Sequence, residues 1–300
     1  MKILLLGKGG QVGWELQRSL LPLGEVIGLD HDSTDLCGNF ADLAGLAATV
    51  RQVAPDVIVN AAAHTAVDKA ESEPELARTI NALAPGVLAD EAQKLGAWLV
   101  HYSTDYVFDG SGTTPWREND ATGPLSIYGQ TKLEGEQAVA RCTRHLIFRT
   151  SWVFAARGGN FAKTMLRLAR ERDRLSVIAD QIGAPTGAEL LADVTAHALR
   201  SVQTRSELAG HYHLAASGET SWHGYACHVL AQAQALGQTL KAGPADVLPI
   251  GTADYPTPAR RPANSRLDTS RLQSAFGLHL PDWTIHVNRM LEETLTGTPQ

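Results

Sequence analysis

The sequence predicts an α/β protein built on a doubly wound parallel sheet, with a smaller α/β portion toward its C-terminus. Three observations carry this prediction. Short, continuous apolar runs recur along the first half, as suits strands covered on both faces of a parallel sheet. Helical patterns alternate with those runs as far as residue 154. Three glycines, Gly7, Gly10 and Gly13, stand between the first run and the first helical pattern.

The first strand spans 2–7 and the first helix 12–21, stopped by Pro22. Glycine at 7, 10 and 13 lets the backbone turn tightly, approach a diphosphate and pack helix on strand. The helix N-terminus adds N–H groups and partial positive charge toward an anion. The alternative is a plain turn. The second strand, 25–30, ends in Asp30, seventeen residues beyond Gly13. An acid there suits the adenosine ribose hydroxyls and favours NADH, or else caps a turn. No arginine stands beside it, and His31 is the adjacent group able to meet a 2′-phosphate. A helix over 42–53 ends at Pro55, and the third strand, 56–60, runs into Ala61-Ala62-Ala63-His64-Thr65. Small residues at a strand end leave room for a flat cofactor, or for tight helix packing. Residues 71–95 read as a helix that Pro85-Gly86 must kink or split.

The fourth strand, 98–102, runs into a hydroxyl-rich loop at Ser103-Thr104-Asp105-Tyr106. A polar loop rich in Gly and Pro follows to Pro124 and suits one wall of a substrate cleft. The next helix runs from Tyr128 to about Cys142, and the fifth strand, 145–149, leads into Thr150-Ser151-Trp152. Beyond residue 155 the pattern is less regular. Helices fall at 160–172, 188–202 and 222–236, strands at 175–179 and 211–214, and a loop at 180–186. A proline-stiffened segment, 255–267, carries Arg260, Arg261 and Arg266. Guanidinium forks match phosphate oxygens, so the segment reads as a diphosphate-sugar clamp or as a solvated basic loop.

Composition narrows the class. At 300 residues, 44% hydrophobic and 19% charged, the chain has material for one large core or two modest ones. A net charge of −6 gives no basic footprint, which argues against nucleic acid as a main partner. Cys37, Cys142 and Cys227 are too scattered for a disulfide framework or a zinc site. The opening apolar run is too short for a signal peptide, and no later run reaches membrane-spanning length, so a cytoplasmic location is expected.

The chemistry concentrates at Tyr128 and Lys132. Four residues apart on a helix, they share one face. A phenol titrating near pH ~10 is a poor acid–base group, and a cation beside it is expected to draw it toward the working range. Thr104 is placed to share the hydrogen bond to the oxygen that the phenol serves.

With the glycine loop, this constellation resembles the short-chain dehydrogenase/reductase superfamily, in which Ser/Thr, Tyr and Lys form the catalytic set. Further stretches narrow the resemblance, over essentially the whole chain, to the family of dTDP-4-dehydrorhamnose reductases. These stretches are Gly7-Lys-Gly-Gly-Gln-Val-Gly-Trp-Glu-Leu, Asn60-Ala-Ala-Ala-His-Thr-Ala-Val-Asp-Lys-Ala-Glu, His101-Tyr-Ser-Thr-Asp-Tyr-Val-Phe-Asp-Gly, Pro124 to Lys132, Phe148-Arg-Thr-Ser-Trp-Val, Ala184-Pro-Thr-Gly-Ala-Glu-Leu-Leu-Ala-Asp and Arg261-Pro-Ala-Asn-Ser-Arg-Leu.

The resemblance implies a Rossmann domain over 1–150. It makes 151–300 mostly substrate-binding, with some segments returning to the Rossmann core. It also implies reduction of a 4-keto nucleotide sugar by NADPH or NADH, so Asp30 does not exclude NADPH. Carried over by motif, Gly10, Gln11 and Val12 would cover the pyrophosphate, Asp30 the adenosine ribose, and Asn39 and Phe40 the adenine end. Ala63, His64, Thr65 and Tyr102 would line the cofactor. Thr104, Asp105, Trp152 and Arg261 would face the substrate. Tyr128 would be the acid, with Lys132 holding the nicotinamide ribose. Some members resemble a magnesium-bridged homodimer, for which Glu189 and Glu293 are the matching candidates, although isolated acids read equally as solvated.

Two other readings share the scaffold. One is a nucleotide-sugar epimerase or dehydratase. Related dehydratases carry an acidic pair after the threonine, whereas Asp105 here is followed by Tyr106. The other is a non-catalytic, dinucleotide-binding regulatory subunit, against which intact Thr104, Tyr128 and Lys132 argue.

Overall fold

The computed structural model describes residues 1–296. Its first half alternates strand and helix: β1 (Lys2–Leu6), α1 (Gln11–Leu20), β2 (Glu25–Leu29), α2 (Leu43–Val53), β3 (Val57–Asn60), α3 (Val67–Ser72), α4 (Pro74–Arg78), α5 (Ala84–Leu95), β4 (Trp98–Thr104), α6 (Ile127–Val139) and β5 (His145–Thr150). The second half contains β6 (Val153–Phe154), α7 (Phe161–Glu171), β7 (Leu175–Ile178), β8 (Ile182–Gly183), β9 (Thr186–Gly187), α8 (Ala188–Val202) and β10 (Gly210–His213). After these come β11 (Thr220–Ser221), α9 (Trp222–Ala235), β12 (Val247–Ile250), α10 (Ser270–Phe276) and α11 (Trp283–Leu295).

Six strands form one sheet in the order β10-β5-β4-β3-β1-β2, and every neighbouring pair is parallel. The apolar runs bury both faces, as a parallel sheet requires. Ile3, Leu5, Val57, Val59 and Val100 face one core, and Leu4, Leu6, Ile58 and Leu99 the other. The first core runs unbroken from Ile3 to Leu291, so it joins the two halves of the chain. The late strand β10 closes the sheet beside β5, and α8 lies along α1. The remaining short strands pair two by two, against α9 and α11. No helix among the described residues is long and apolar enough to cross a membrane.

The glycine turn after β1 is a matter of clearance. Gly7 sits at φ +83°, and a Cβ on Gly13 would fall 1.9 Å from the Gly7 carbonyl oxygen. Only glycine lets α1 start this close to the strand.

Four local expectations change. The loop expected at 180–186 holds β8 and the start of β9, each paired to another short strand. Ser103 and Thr104 belong to β4 and not to a loop, because the ladder with β5 continues through Ser103–Arg149 and Thr104–Thr150. α6 stops at Val139, short of Cys142. The helix expected over 71–95 begins earlier, at Val67, breaks at Glu73 and carries one π turn at Thr79–Leu83. The helical run is continuous from Pro74 to Leu95, and Pro85 follows directly on the π turn, where a break in the regular i→i−4 ladder accommodates a residue without an N–H. The π turn has a use: a Cβ on Gly135 would lie 2.1 Å from the Asn81 carbonyl oxygen, so α6 packs directly on this bulge. The Asn81 side chain donates to Thr131 Oγ1 (3.2 Å) and to the His64 carbonyl (3.1 Å), tying the segment after β3 to α6.

A buried ion pair completes the docking of α6. Arg149 on β5 donates in bidentate fashion to Glu136, at 2.9 and 2.7 Å, with side chains 5% and 2% exposed. Removing one partner strands a buried charge. Arg149→Met is therefore expected to lose about 3–5 kcal/mol of stability in urea unfolding, much of it restored by the double change Arg149→Met/Glu136→Met.

Candidate active site

A cleft of about 730 Å³ opens at the carboxyl ends of β1 to β5, where the order of strands reverses between β1 and β3. Such switch points leave a crevice that the flanking crossovers cannot fill. Gly7, Gly10, Gln11, Val12, Asp30, Asn39 and Phe40 line one end, and Ala63, Thr65 and Tyr102 the middle. Thr104, Asp105, Tyr128, Lys132 and Trp152 line the far end. Gly13, His64 and Arg261 do not line it. Gly13 is buried beneath the turn, and the His64 imidazole lies 3.5 Å from Glu73.

The glycine end suits an anionic, two-headed ligand. Gly10 caps α1 without any side-chain hydrogen bond, so the first helical N–H groups are not taken by a side chain. Asp30 accepts from Gly9 N–H at 2.8 Å, which fixes the carboxylate at the end of β2. Gln11 Oε1, Ser103 Oγ and Thr150 Oγ1 are buried along the same cleft with no partner among the described residues. Buried polar atoms of this kind call for a ligand.

At the far end, Ser126 caps α6 by accepting from Gly129 N–H (3.2 Å), and Ile127 N–H donates to Glu71 (2.8 Å). Tyr128 and Lys132 thereby stand on the face of α6 that meets the end of β4. Thr104 Oγ1 accepts from Tyr106 N–H (3.2 Å) and donates to Asp105 Oδ1 (3.0 Å). The Tyr106 and Tyr128 rings meet edge to face, centroids 5.5 Å apart.

The electrostatics differ from the sequence expectation. Burial pushes the Tyr128 phenol up to about 12, with the Thr104 hydroxyl offsetting part of the shift. Burial takes Lys132 down to about 8, and Nζ donates to the Tyr102 carbonyl at 2.6 Å. Lys132 thus does not acidify Tyr128 in this state, because its ammonium is spent on a backbone acceptor. Burial also pushes the Asp105 carboxyl up to about 6, against the hydroxyls of Ser265 and Thr104.

The wall opposite is aromatic. Trp152 adopts a left-handed backbone (φ +49°) and stacks on Trp222, centroids 3.7 Å apart and planes 17° apart. Trp222 Nε1 donates to buried Gln181 at 3.1 Å, and Gln181 donates to Thr252 at 3.0 Å. Sequence reasoning missed Trp222, whose place depends on a contact seventy positions from Trp152. Asn60 and His101 were also missed as side chains near the site. Their signal was a polar residue inside a doubly covered apolar strand.

The arginine segment is mostly paired. Arg261 binds Asp68 in bidentate fashion (3.1 and 2.7 Å), and Arg266 reaches Glu219 at 2.6 Å. Glu189 lies 3.4 Å from Arg289 and 3.7 Å from His286, with Glu15 and Glu293 around the same small cavity. No group of three or more His, Cys, Asp or Glu among the described residues is arranged to hold a metal.

Glycine turn, switch-point cleft and Tyr-x-x-x-Lys helix together define a protein of the short-chain dehydrogenase/reductase class. Residues 1–296 match the model of the RmlD substrate binding domain. The dTDP-4-dehydrorhamnose reductase of Shigella flexneri is 60% identical over 299 residues, covering 99% of each chain. Two solved dTDP-4-dehydrorhamnose reductases superpose closely. That of Clostridium acetobutylicum has a TM-score of 0.87 and 35% identity, covering 97% of this chain and 99% of its own. That of Bacillus anthracis, in complex with NADP, has a TM-score of 0.86 and 34% identity, covering 98% and 99%. The chain belongs to the RmlD substrate binding domain family, that of the dTDP-4-dehydrorhamnose reductases.

Asp105 offers a test of the burial argument. Its carboxyl titrates near pH ~4 when unfolded and at about 6 when folded, so the cost of the buried carboxylate is absent below the first value and full above the second. Asp105→Asn should therefore gain about 3 kcal/mol on the parent protein between those pH values. Urea unfolding at both ends of that range reads the gain, and a gap that ignores pH would refute it.

Proposed function

We propose that this protein reduces the 4-keto group of dTDP-4-dehydro-L-rhamnose to give dTDP-L-rhamnose, the last step in making that nucleotide sugar, with NADPH or NADH. The observation that carries the reading is the junction of Tyr128 and Thr104 at one end of a cleft whose other end is the glycine turn. Full-length similarity to reductases of that name supports the substrate class.

In this reading Gly10, Gln11 and Val12 hold the diphosphate of the dinucleotide, and Asp30 meets its adenosine ribose. Asn39 and Phe40 lie toward the adenine, and Ala63, Thr65 and Tyr102 form the bed along its length. His64 acts only by shaping that bed from behind. The bound cofactor supplies hydride. Tyr128 gives its phenolic proton to the alkoxide oxygen that develops on the sugar, and Lys132 turns from the Tyr102 carbonyl toward the ribose and the phenolate. Thr104 supplies a second hydrogen bond at that oxygen, and the dry setting strengthens both. Trp152, stacked on Trp222, walls the sugar, and Asp105 faces it. Arg261, already held by Asp68, frames the diphosphate side. We assign 1–150 to cofactor binding and most of 151–300 to substrate, and place the reaction in the cytoplasm. Magnesium enters only at an interface with a second copy, where Glu189 and Glu293 would gain the partner's acids.

The deciding experiment mixes the protein with dTDP-4-keto-L-rhamnose and NADPH, with NADH alongside, and follows loss of the reduced nicotinamide absorbance. Stoichiometric oxidation is expected. An epimerase or dehydratase regenerates its cofactor and would show none, and a regulatory subunit would bind without turnover. Tyr128→Phe should lower turnover by about 10²–10⁴-fold while cofactor affinity stays within a few-fold. Unchanged turnover would refute the assignment of the acid.

A further inference from the structure

Behind Lys132 lies a buried pair of polar side chains, Asn60 at the end of β3 and His101 within β4. Both are 1% exposed, and they stand opposite each other in the parallel ladder. Asn60 Oδ1 accepts from Ala62 N–H at 3.0 Å, which fixes the orientation of the amide. The other end, Nδ2, is a donor and faces His101 Nδ1 at 3.0 Å. Nδ1 must then be the accepting nitrogen, and in a neutral ring the proton resides on Nε2. Burial, Lys132 and His211 all hold His101 well below its ordinary titration range, so the ring is neutral. Nε2 lies 3.4 Å from Lys132 Nζ.

An imidazole N–H aimed at Nζ suits an amine, whose lone pair accepts it, and leaves an ammonium facing a donor. The acceptor offered to Lys132 is the Tyr102 carbonyl, on the cleft side. The other titratable and charged groups around the pair are few. Tyr128 stands one turn before Lys132, and Glu136 one turn after it, committed to Arg149. His211 reaches His101 from β10. Asp105 acts on Tyr128.

We propose that Asn60 and His101 form a positioning pair behind Lys132: Asn60 locks the imidazole as its Nε2–H tautomer, and that N–H orients Nζ toward the cleft and loosens its proton. Burial brings Lys132 toward neutrality against the pull of Glu136, and the pair adds a donor that suits the amine, so the charge on Lys132 answers to whatever occupies the cleft. What Lys132 then does for substrate rests on the reductase reading, but the tautomer and the titration belong to the unliganded protein.

The test is nuclear magnetic resonance on the full chain without ligands. Nitrogen shifts of His101 should report a proton on Nε2 and a bare Nδ1. The Lys132 Cε resonance, assigned by its loss in Lys132→Met, should titrate well below an ordinary lysine. Asn60→Ala frees the ring to turn its lone pair to Nζ, so the Lys132 midpoint should rise by about one pH unit. In a His101→Phe background the same Asn60→Ala change should move it by less than a third of that. A purely structural role of Asn60 would shift both backgrounds alike and overturn the proposal, as would a proton on Nδ1 in the native protein. If Asn60→Ala does not fold, the native tautomer alone decides. Native protein that shows these titrations but never oxidises NADPH with the keto sugar would sink the reductase reading and leave the positioning pair standing.

Discussion

The site depends on how α6 is docked, and the docking depends on the guanidinium of Arg149. It pairs with Glu136, one turn beyond Lys132, donates to the Glu118 carbonyl at 3.1 Å and lies 5.0 Å from the centroid of Phe108. One buried group thus ties the helix that carries Tyr128 and Lys132 to β5 and to the loop beyond β4. On its other side α6 is held by Asn81 and by the clearance at Gly135. A helix clamped on two sides fixes where the backbone presents Tyr128 and Lys132, leaving only their side chains to adjust. That is the preorganisation an acid–base site needs.

Burial sets the resting state of the cleft. It is the first cause behind the raised Tyr128, the raised Asp105 and the lowered Lys132. Lys132 stands apart from the other two, turned to a backbone carbonyl, while Asp105, bonded to the Thr104 hydroxyl, adds its charge to the burial that raises Tyr128. Such a pocket resists standing charge and rewards charge that develops beside its fixed donors. The strained backbone at Trp152 belongs to the same design. A non-glycine residue at φ +49° persists because its ring is trapped against Trp222, which Gln181 holds in turn.

Much of this was legible in the chain. The apolar runs gave the sheet its strands, because a strand covered on both faces has no polar alternation to disguise it. α8 was read at Ala188–Val202, the span it occupies. The arginine segment was only partly legible: its charge was plain in the sequence, but its pairing with Asp68 and Glu219, and the bends that break its course, could not be read from positions so distant. Over 71–95 the sequence showed that the helix would be irregular near Pro85, but not that the irregularity would be a π turn ahead of the proline or that the run would begin at Val67 and break at Glu73, because a π turn leaves no mark in periodicity.

Local chemistry is what the sequence alone determined. Glycine spacing dictated the turn, apolar runs dictated buried strands, and the interval of four placed Tyr128 and Lys132 on one helical face, since each follows from backbone sterics or helical pitch over a few residues. Tertiary structure decided which way Lys132 points, how far burial moves each titration, and which distant groups become neighbours, namely Trp222 at Trp152 and His101 behind Lys132. These depend on packing between strands and helices far apart in the chain, and on the water that packing excludes.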